Sequence, residues 1–315
     1  MTTSPFINRL FLYPLLALLS TFSGTLMAQS PDNDLERDSA TGKLKINLFN
    51  HQRVMNELFG EPRMNIKTVG ILVYDGFFTL DAIGPMSVFS ELMGTNVFYI
   101  GIEKGIVKSG RTEIMVKKSI HDIKELDILV IPGGSVGTWK MTQDSTVLSW
   151  IRMIDAGSQI TASVCSGAWI LGAAGLLEGK KAATHWYRAE EMMTRYGASF
   201  EQKRYTHDGK YWTSAGVSAG IDMSLALIRE IRGEKYLQGA MLDLEYAPEP
   251  PIDAGVPSKS DRDVLDMMIA MYDYGMLPLI KKEDKTKSQA IKACECHKAG
   301  KKKNKKAVCH HGCQK

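Results

Sequence analysis

Short continuous apolar runs alternate with segments of helical period along the middle of the chain, and each run stops where small or polar residues begin. Val69-Gly70-Ile71-Leu72-Val73-Tyr74, Val97-Phe98-Tyr99-Ile100, Ile128-Leu129-Val130-Ile131 and Ile160-Thr161-Ala162-Ser163-Val164 have no polar face, which is the pattern of strands buried on both sides. Shorter runs at 181–184 and 211–213 continue the series. Between them, Val147, Leu148, Ile151 and Ile154 recur at helical spacing within 144–156. Further helices are predicted over 85–92, with Pro85 in the first turn, and over 167–174, 187–196 and 217–231. Residues 104–118 read as a hairpin at a sheet edge. This alternation predicts an α/β domain over 66–280, built on a doubly wound, mostly parallel sheet with helices on both faces.

The flanks follow other patterns. Arg9 is the one charge ahead of an apolar core from Leu10 to Leu19, and small residues lead on to Met27-Ala28. That is the layout of a secretory signal over 1–28, so a periplasmic or secreted protein is expected. As a retained anchor the segment is poor, because Pro14, Ser20, Thr21, Ser23 and Gly24 interrupt it, and no stable membrane insertion is expected after cleavage. Residues 29–65 are polar and weakly patterned, a linker or N-terminal arm. Pro248, Pro250 and Pro251 forbid helix within 243–255 and predict an extended strap. A last amphipathic helix is predicted over 261–274, followed by a lysine-rich tail over 281–315 expected to lack structure.

Charge and sulfur are unevenly distributed, and this changes the picture. The formal charge is +4, but the tail holds twelve lysines against three acids, which leaves −5 on the other 280 residues. A mildly acidic body gives no case for nucleic-acid binding by the fold. Of five cysteines, Cys165 stands alone in the body, and Cys294, Cys296, Cys309 and Cys313 cluster in the tail with His297, His310 and His311. The tail set suits two disulfides in an oxidising compartment, or zinc or copper binding by soft ligands; the sequence leaves both open.

An isolated cysteine in an enzyme-sized domain is a candidate nucleophile. Cys165 ends an apolar strand, and Gly167 opens the helix behind it, a tight elbow that pushes the side chain out of the sheet. A helix N-terminus there is expected to favour the thiolate, although a buried inert cysteine has the same composition. Ligands of doubly wound sheets bind at the carboxyl ends of strands. Two other strand ends lead to Asp81 and to Gly133-Gly134, an acid and a pair of backbone donors. Thiol, carboxyl and amides at one sheet edge suit covalent attack on an electrophilic carbon of a small molecule.

Six stretches together resemble the DJ-1/PfpI superfamily, and within it the isocyanide hydratases. They are Leu80-Asp81-Ala82-Ile83-Gly84-Pro85, Ile131-Pro132-Gly133-Gly134, Ser163-Val164-Cys165-Ser166-Gly167, Leu171-Gly172-Ala173-Ala174-Gly175-Leu176-Leu177, Thr184-His185-Trp186 and Leu244-Glu245-Tyr246-Ala247-Pro248. The resemblance implies a flavodoxin-like fold, a homodimer and no cofactor. It implies Cys165 as nucleophile, Asp81 as proton-handling acid, the amides of Gly134 and Ser166 as an oxyanion pocket, and His185 near the site. Ser166 stands where the hydratases usually carry Thr, so a catalytic hydroxyl is retained. The protease-like branch has His directly after the cysteine, so peptidase activity is not expected.

The sensor domains of AraC-type regulators share these motifs. The 58 residues after Pro257 are read as one helix and a tail, too little for a helix-turn-helix module. A non-catalytic ligand-binding or redox-sensing module is the alternative, since a low-pKa, exposed thiol also forms sulfenic acid.

Overall fold

The computed structural model describes residues 35–47 and 49–303, with side chains through Thr286. The signal expected at 1–28 and the tail side chains Cys294, Cys296, Cys309 and Cys313 lie outside the described residues. The chain divides into two compact units, one ending at Glu57 and the other beginning at Leu58. In the first, Arg37 and Leu44 form an isolated antiparallel bridge, and Asp38 accepts hydrogen bonds from the Ala40 and Thr41 amides inside that turn. Helix α1 spans His51–Phe59.

In the second unit the elements follow one another as β1 (Thr68–Val73), α2 (Thr79–Phe89), β2 (Asn96–Gly101), β3 (Gly105–Ser109), β4 (Thr112–Val116), β5 (Lys118–Ser119), β6 (Ile128–Ile131), α3 (Val136–Met141), α4 (Ser145–Gly157), β7 (Ile160–Val164) and α5 (Gly167–Ala173). Then come β8 (Lys181–Ala182), α6 (Ala189–Arg195), β9 (Ser199–Phe200), β10 (Tyr205–Asp208), β11 (Tyr211–Ser214), α7 (Ser218–Arg232), α8 (Glu234–Asp243) and α9 (Arg262–Lys303). Seven strands form one sheet in the order β10-β11-β7-β6-β1-β2-β5, parallel throughout except for the β10–β11 pair. β6 and β7 are buried at every position, as expected of strands with helices on both faces. Ile71, Leu72, Leu129, Ile131, Ile151, Ile154 and Leu171 are among the fully buried side chains at the centre. Asp144 caps α4 through the Thr146 and Val147 amides, a contact worth about 1 kcal/mol.

The doubly wound α/β expectation holds, and the 104–118 excursion is the β3–β4 hairpin. Three local expectations are corrected, and one helix is added. α2 starts at Thr79, so Pro85 lies inside the helix and lacks the N–H that would bond the Asp81 carbonyl. β8 pairs with β9 in a separate two-stranded sheet. Residues 234–243 form α8, whose weak amphipathic pattern hid it. The last helix does not stop near Tyr274: it continues through Pro278 to Lys303, because Met276 and Ile280 find a buried seat, so the start of the lysine-rich segment is helical.

Candidate active site

Cys165 is the first residue after β7, and its φ is 60°, a left-handed conformation that costs a non-glycine residue of order 1 kcal/mol. Three hydrogen bonds hold it there. Its N–H is shared between the carbonyls of Ser214 (3.1 Å) and Ala215 (3.2 Å), and its own carbonyl accepts from Thr184 Oγ1 at 2.9 Å. The elbow also needs bare backbone around it. A Cβ on Gly167 would sit 2.1 Å from the Ile131 carbonyl oxygen, and one on Gly133 would sit 2.8 Å from Cys165 Cβ and 2.6 Å from the Ser166 nitrogen. Cys165 ends up 1% exposed.

Asp81, in the first turn of α2, is fully buried. Its Oδ2 accepts the Gly133 N–H at 3.1 Å, while Oδ1 has no hydrogen-bond partner. The Cys165 thiol adjoins this carboxyl. Burial raises Asp81 to about 7, against the opposing pull of the Gly133 amide and the thiol. Burial, and then the charge of Asp81, push the Cys165 thiol well above its ordinary value, although the Ser166 amide and hydroxyl pull it down. The expected thiolate at a helix N-terminus is therefore corrected: a low-dielectric site beside a carboxylate outweighs the seven-residue helix behind it. Of the two groups Asp81 ionises first, as pH rises through about 7, so the first negative charge of the pair rests on the carboxyl.

Ser166 has its hydroxyl on the Gly133-Gly134 loop. Oγ donates to the Gly134 carbonyl at 2.7 Å and accepts the Gly134 N–H at 3.1 Å. It also lies 3.2 Å from Thr138 Oγ1, which in turn lies 2.9 Å from Tyr74 Oη. The Gly134 amide, expected in an oxyanion pocket, is thus engaged by Ser166, and the Ser166 amide is the donor directed at the sulfur. The glycine loop is fixed on its other side too, since Phe78 N–H donates to the Gly133 carbonyl at 2.8 Å.

His185 is 8% exposed, and its Nδ1 accepts the Tyr187 N–H at 3.3 Å. Burial lowers its pKa to about 4, so the ring is neutral. It stands in a cluster of rings rather than as a proton carrier: centroids of Trp186 and Tyr272 each lie 5.2 Å away. A cavity of about 840 Å³ adjoins, lined by Leu80, Thr184, His185, Trp186, Val217 and Val256 among others, and neither Cys165 nor Asp81 opens onto it. Among the described residues no group of His, Cys, Asp and Glu has the spacing of a metal site.

The chain carrying this site is similar to known proteins. Residues 67–230, just over half of the chain, match the DJ-1/PfpI family. The chain belongs to the DJ-1/PfpI family. An isonitrile hydratase of Pseudomonas putida is 34% identical over 199 residues, 63% of this chain and 86% of that protein. The crystal structure of a THiJ/PfpI family protein from Pseudomonas syringae superposes with a TM-score of 0.65 at 33% identity, covering 67% of this chain and 88% of that one. The HTH-type transcriptional regulator CdhR of Pseudomonas aeruginosa is 29% identical over 116 residues, 36% of this chain and 34% of that protein.

The structure brings Cys165, Asp81, Ser166 and Gly134 together, whereas His185 lines the adjoining cavity and follows Thr184, whose hydroxyl bonds the Cys165 carbonyl. Sequence reasoning missed Tyr74, Thr138 and Tyr272. Tyr74 ends a strand run, a position that could have drawn notice; Thr138 and Tyr272 carry no local signal.

Proposed function

We propose that this protein hydrates isocyanides, with Cys165 as nucleophile and Asp81 as the group that carries the proton. The observation that supports it most is the buried thiol–carboxyl pair, set at a strained elbow. The Asp81 carboxylate takes the thiol proton as sulfur bonds to the terminal isocyanide carbon. That carbon's lone pair then receives the proton from Asp81, giving an S-linked thioimidate, R–N=CH–S. Water adds to the same carbon with Asp81 as base. The C–S bond breaks, nitrogen takes a proton, and R–NH–CHO leaves with the thiol restored. The sum is isocyanide plus water giving an N-formamide. The Ser166 amide lies against the sulfur and steadies negative charge there, while the Ser166 hydroxyl holds the glycine loop at the distance that Asp81 requires.

The test follows formamide from a simple aryl isocyanide with the reduced native protein and with Cys165→Ala and Asp81→Ala. Turnover lost in both variants supports the assignment; no formamide from the native protein rejects it. A closed thiol and the likeness to a transcriptional regulator favour a second reading, a ligand-binding or redox-sensing module, which binds without turnover. The layout of residues 1–28 supports an exported mature protein, and the family likeness supports a homodimer. Mass spectrometry of the mature N-terminus and sedimentation test these two points.

A further inference from the structure

We infer that Tyr272, carried by α9, is a wall of the substrate site and limits the size of the group that can reach Cys165. The ring of Tyr272 stacks on Tyr187 with centroids 4.9 Å apart, and meets His185 at 5.2 Å and Trp186 edge-on at 5.5 Å. Those three partners are consecutive, and Thr184 just before them is bonded to the Cys165 carbonyl, so the cluster is tied to the nucleophile's own backbone. Burial raises the Tyr272 phenol pKa, and the charges of Cys165 and then Asp81 raise it further. With the thiol 1% exposed, something near it must limit approach.

The wall is fixed, because α9 is clasped beside Tyr272 and again further along its length. Next to Tyr272, Asp273 Oδ1 accepts Tyr187 Oη at 2.7 Å and Arg188 Nη2 at 3.2 Å. Further along, Arg195 pairs with Asp284 at 2.8 Å, and Met276 and Ile280 are each 2% exposed. This helix begins 32 residues after the family match ends. A rigid ring at that position leaves room for the unsubstituted terminal carbon of an isocyanide and resists a broad group behind it. The substrates it selects are isocyanides with a narrow or flat group next to nitrogen.

The inference rests on Cys165 as the reacting atom, and its test also works without turnover. The full-length reduced chain is alkylated with iodoacetamide or with the bulkier N-phenylmaleimide, and the Cys165 peptide is followed by mass spectrometry, which separates it from the tail cysteines. Tyr272→Ala is expected to speed N-phenylmaleimide by about tenfold and iodoacetamide by less. Tyr272→Trp is expected to slow N-phenylmaleimide, Tyr272→Phe to leave both rates within about twofold, and Val256→Trp, in the adjoining cavity, to leave both unchanged. Unchanged rates in both Tyr272→Ala and Tyr272→Trp would overturn the inference, as would slowing by Val256→Trp, which would place access through the cavity. In parallel, Tyr272→Ala is expected to shift kcat/KM toward branched isocyanides. Absence of any isocyanide turnover with the alkylation pattern intact would reject the hydratase reading and leave the wall standing.

Discussion

The Gly133-Gly134 loop packs against Cys165 and helix α9 against residues 185–187, and different contacts hold them. The loop is fixed by backbone: Gly133 gives its amide to Asp81 and its carbonyl to Phe78, and Gly134 is doubly bonded to Ser166. Helix α9 is fixed by side chains, with Asp273, Asp284 and two apolar anchors on the body. Backbone contacts that depend on a missing Cβ admit almost no substitution, whereas side-chain clasps lose one member at a time. The proposed chemistry therefore falls where the geometry is least negotiable, and the proposed selectivity where it can be retuned.

The largest effect is expected at the sulfur. Cys165→Ser keeps the elbow but replaces the thiol with a far weaker nucleophile, and formamide formation should fall by at least about 10³-fold with unchanged circular dichroism. Next comes Gly133→Ala. Its Cβ would meet Cys165 Cβ at 2.8 Å and the Ser166 nitrogen at 2.6 Å, and neither backbone can retreat. Activity should drop by about 10²-fold and stability by about 1–3 kcal/mol in urea unfolding. A Gly133→Ala protein with native kinetics would dissolve the contrast between the two regions.

The sheet and the pair Cys165 and Asp81 were legible in the sequence because each expresses a short-range rule. Two-faced burial forces apolar runs such as Ile128-Leu129-Val130-Ile131, and a strand-to-helix elbow forces small residues such as Gly167. The reach of α9 was not legible, since its second half is lysine-rich and its fixation comes from partners far away in sequence, Tyr187, Arg188 and Arg195. The thiol's raised pKa was hidden for the same reason: helix position is written locally, but the depth of burial and the nearness of Asp81 depend on the assembled fold.

Acidity offers a sharper test of the site. In the folded chain Asp81 titrates near 7 instead of 3.8, so between those values the folded state binds the extra proton and stability falls as pH rises. The full difference corresponds to at most about 4 kcal/mol, present below pH 4 and lost by pH 8. Asp81→Asn removes the ionisation, so it should unfold at higher urea than the native protein at pH 8, with the gap closing toward pH 4. The same ionisation makes the base, so native kcat/KM should rise with pH through about 7 and level off above it. A rate that falls over that interval would exclude Asp81 as the acceptor of the thiol proton.

The smallest effect is expected where α9 is clasped far from the sulfur. Arg195 sits over the Trp139 ring, 5.5 Å from its centroid, and pairs with Asp284 at 2.8 Å and Glu283 at 3.4 Å. Asp284 is more than half exposed, so solvent screens that pair, and most of what Arg195→Ala removes is the packing of its stem and guanidinium on the indole. The expected loss is about 1 kcal/mol, read in urea unfolding, with formamide kinetics unchanged because Tyr272 remains held by Tyr187, His185 and the Asp273 clasp. Limited proteolysis should nonetheless cut α9 sooner, since local opening of the helix from Met276 onward no longer has to break the Arg195 contacts. If Arg195→Ala instead altered Cys165 alkylation as Tyr272→Ala is expected to, the distant half of α9 would be setting the position of the ring, and the helix would act as one lever rather than as two separately anchored turns.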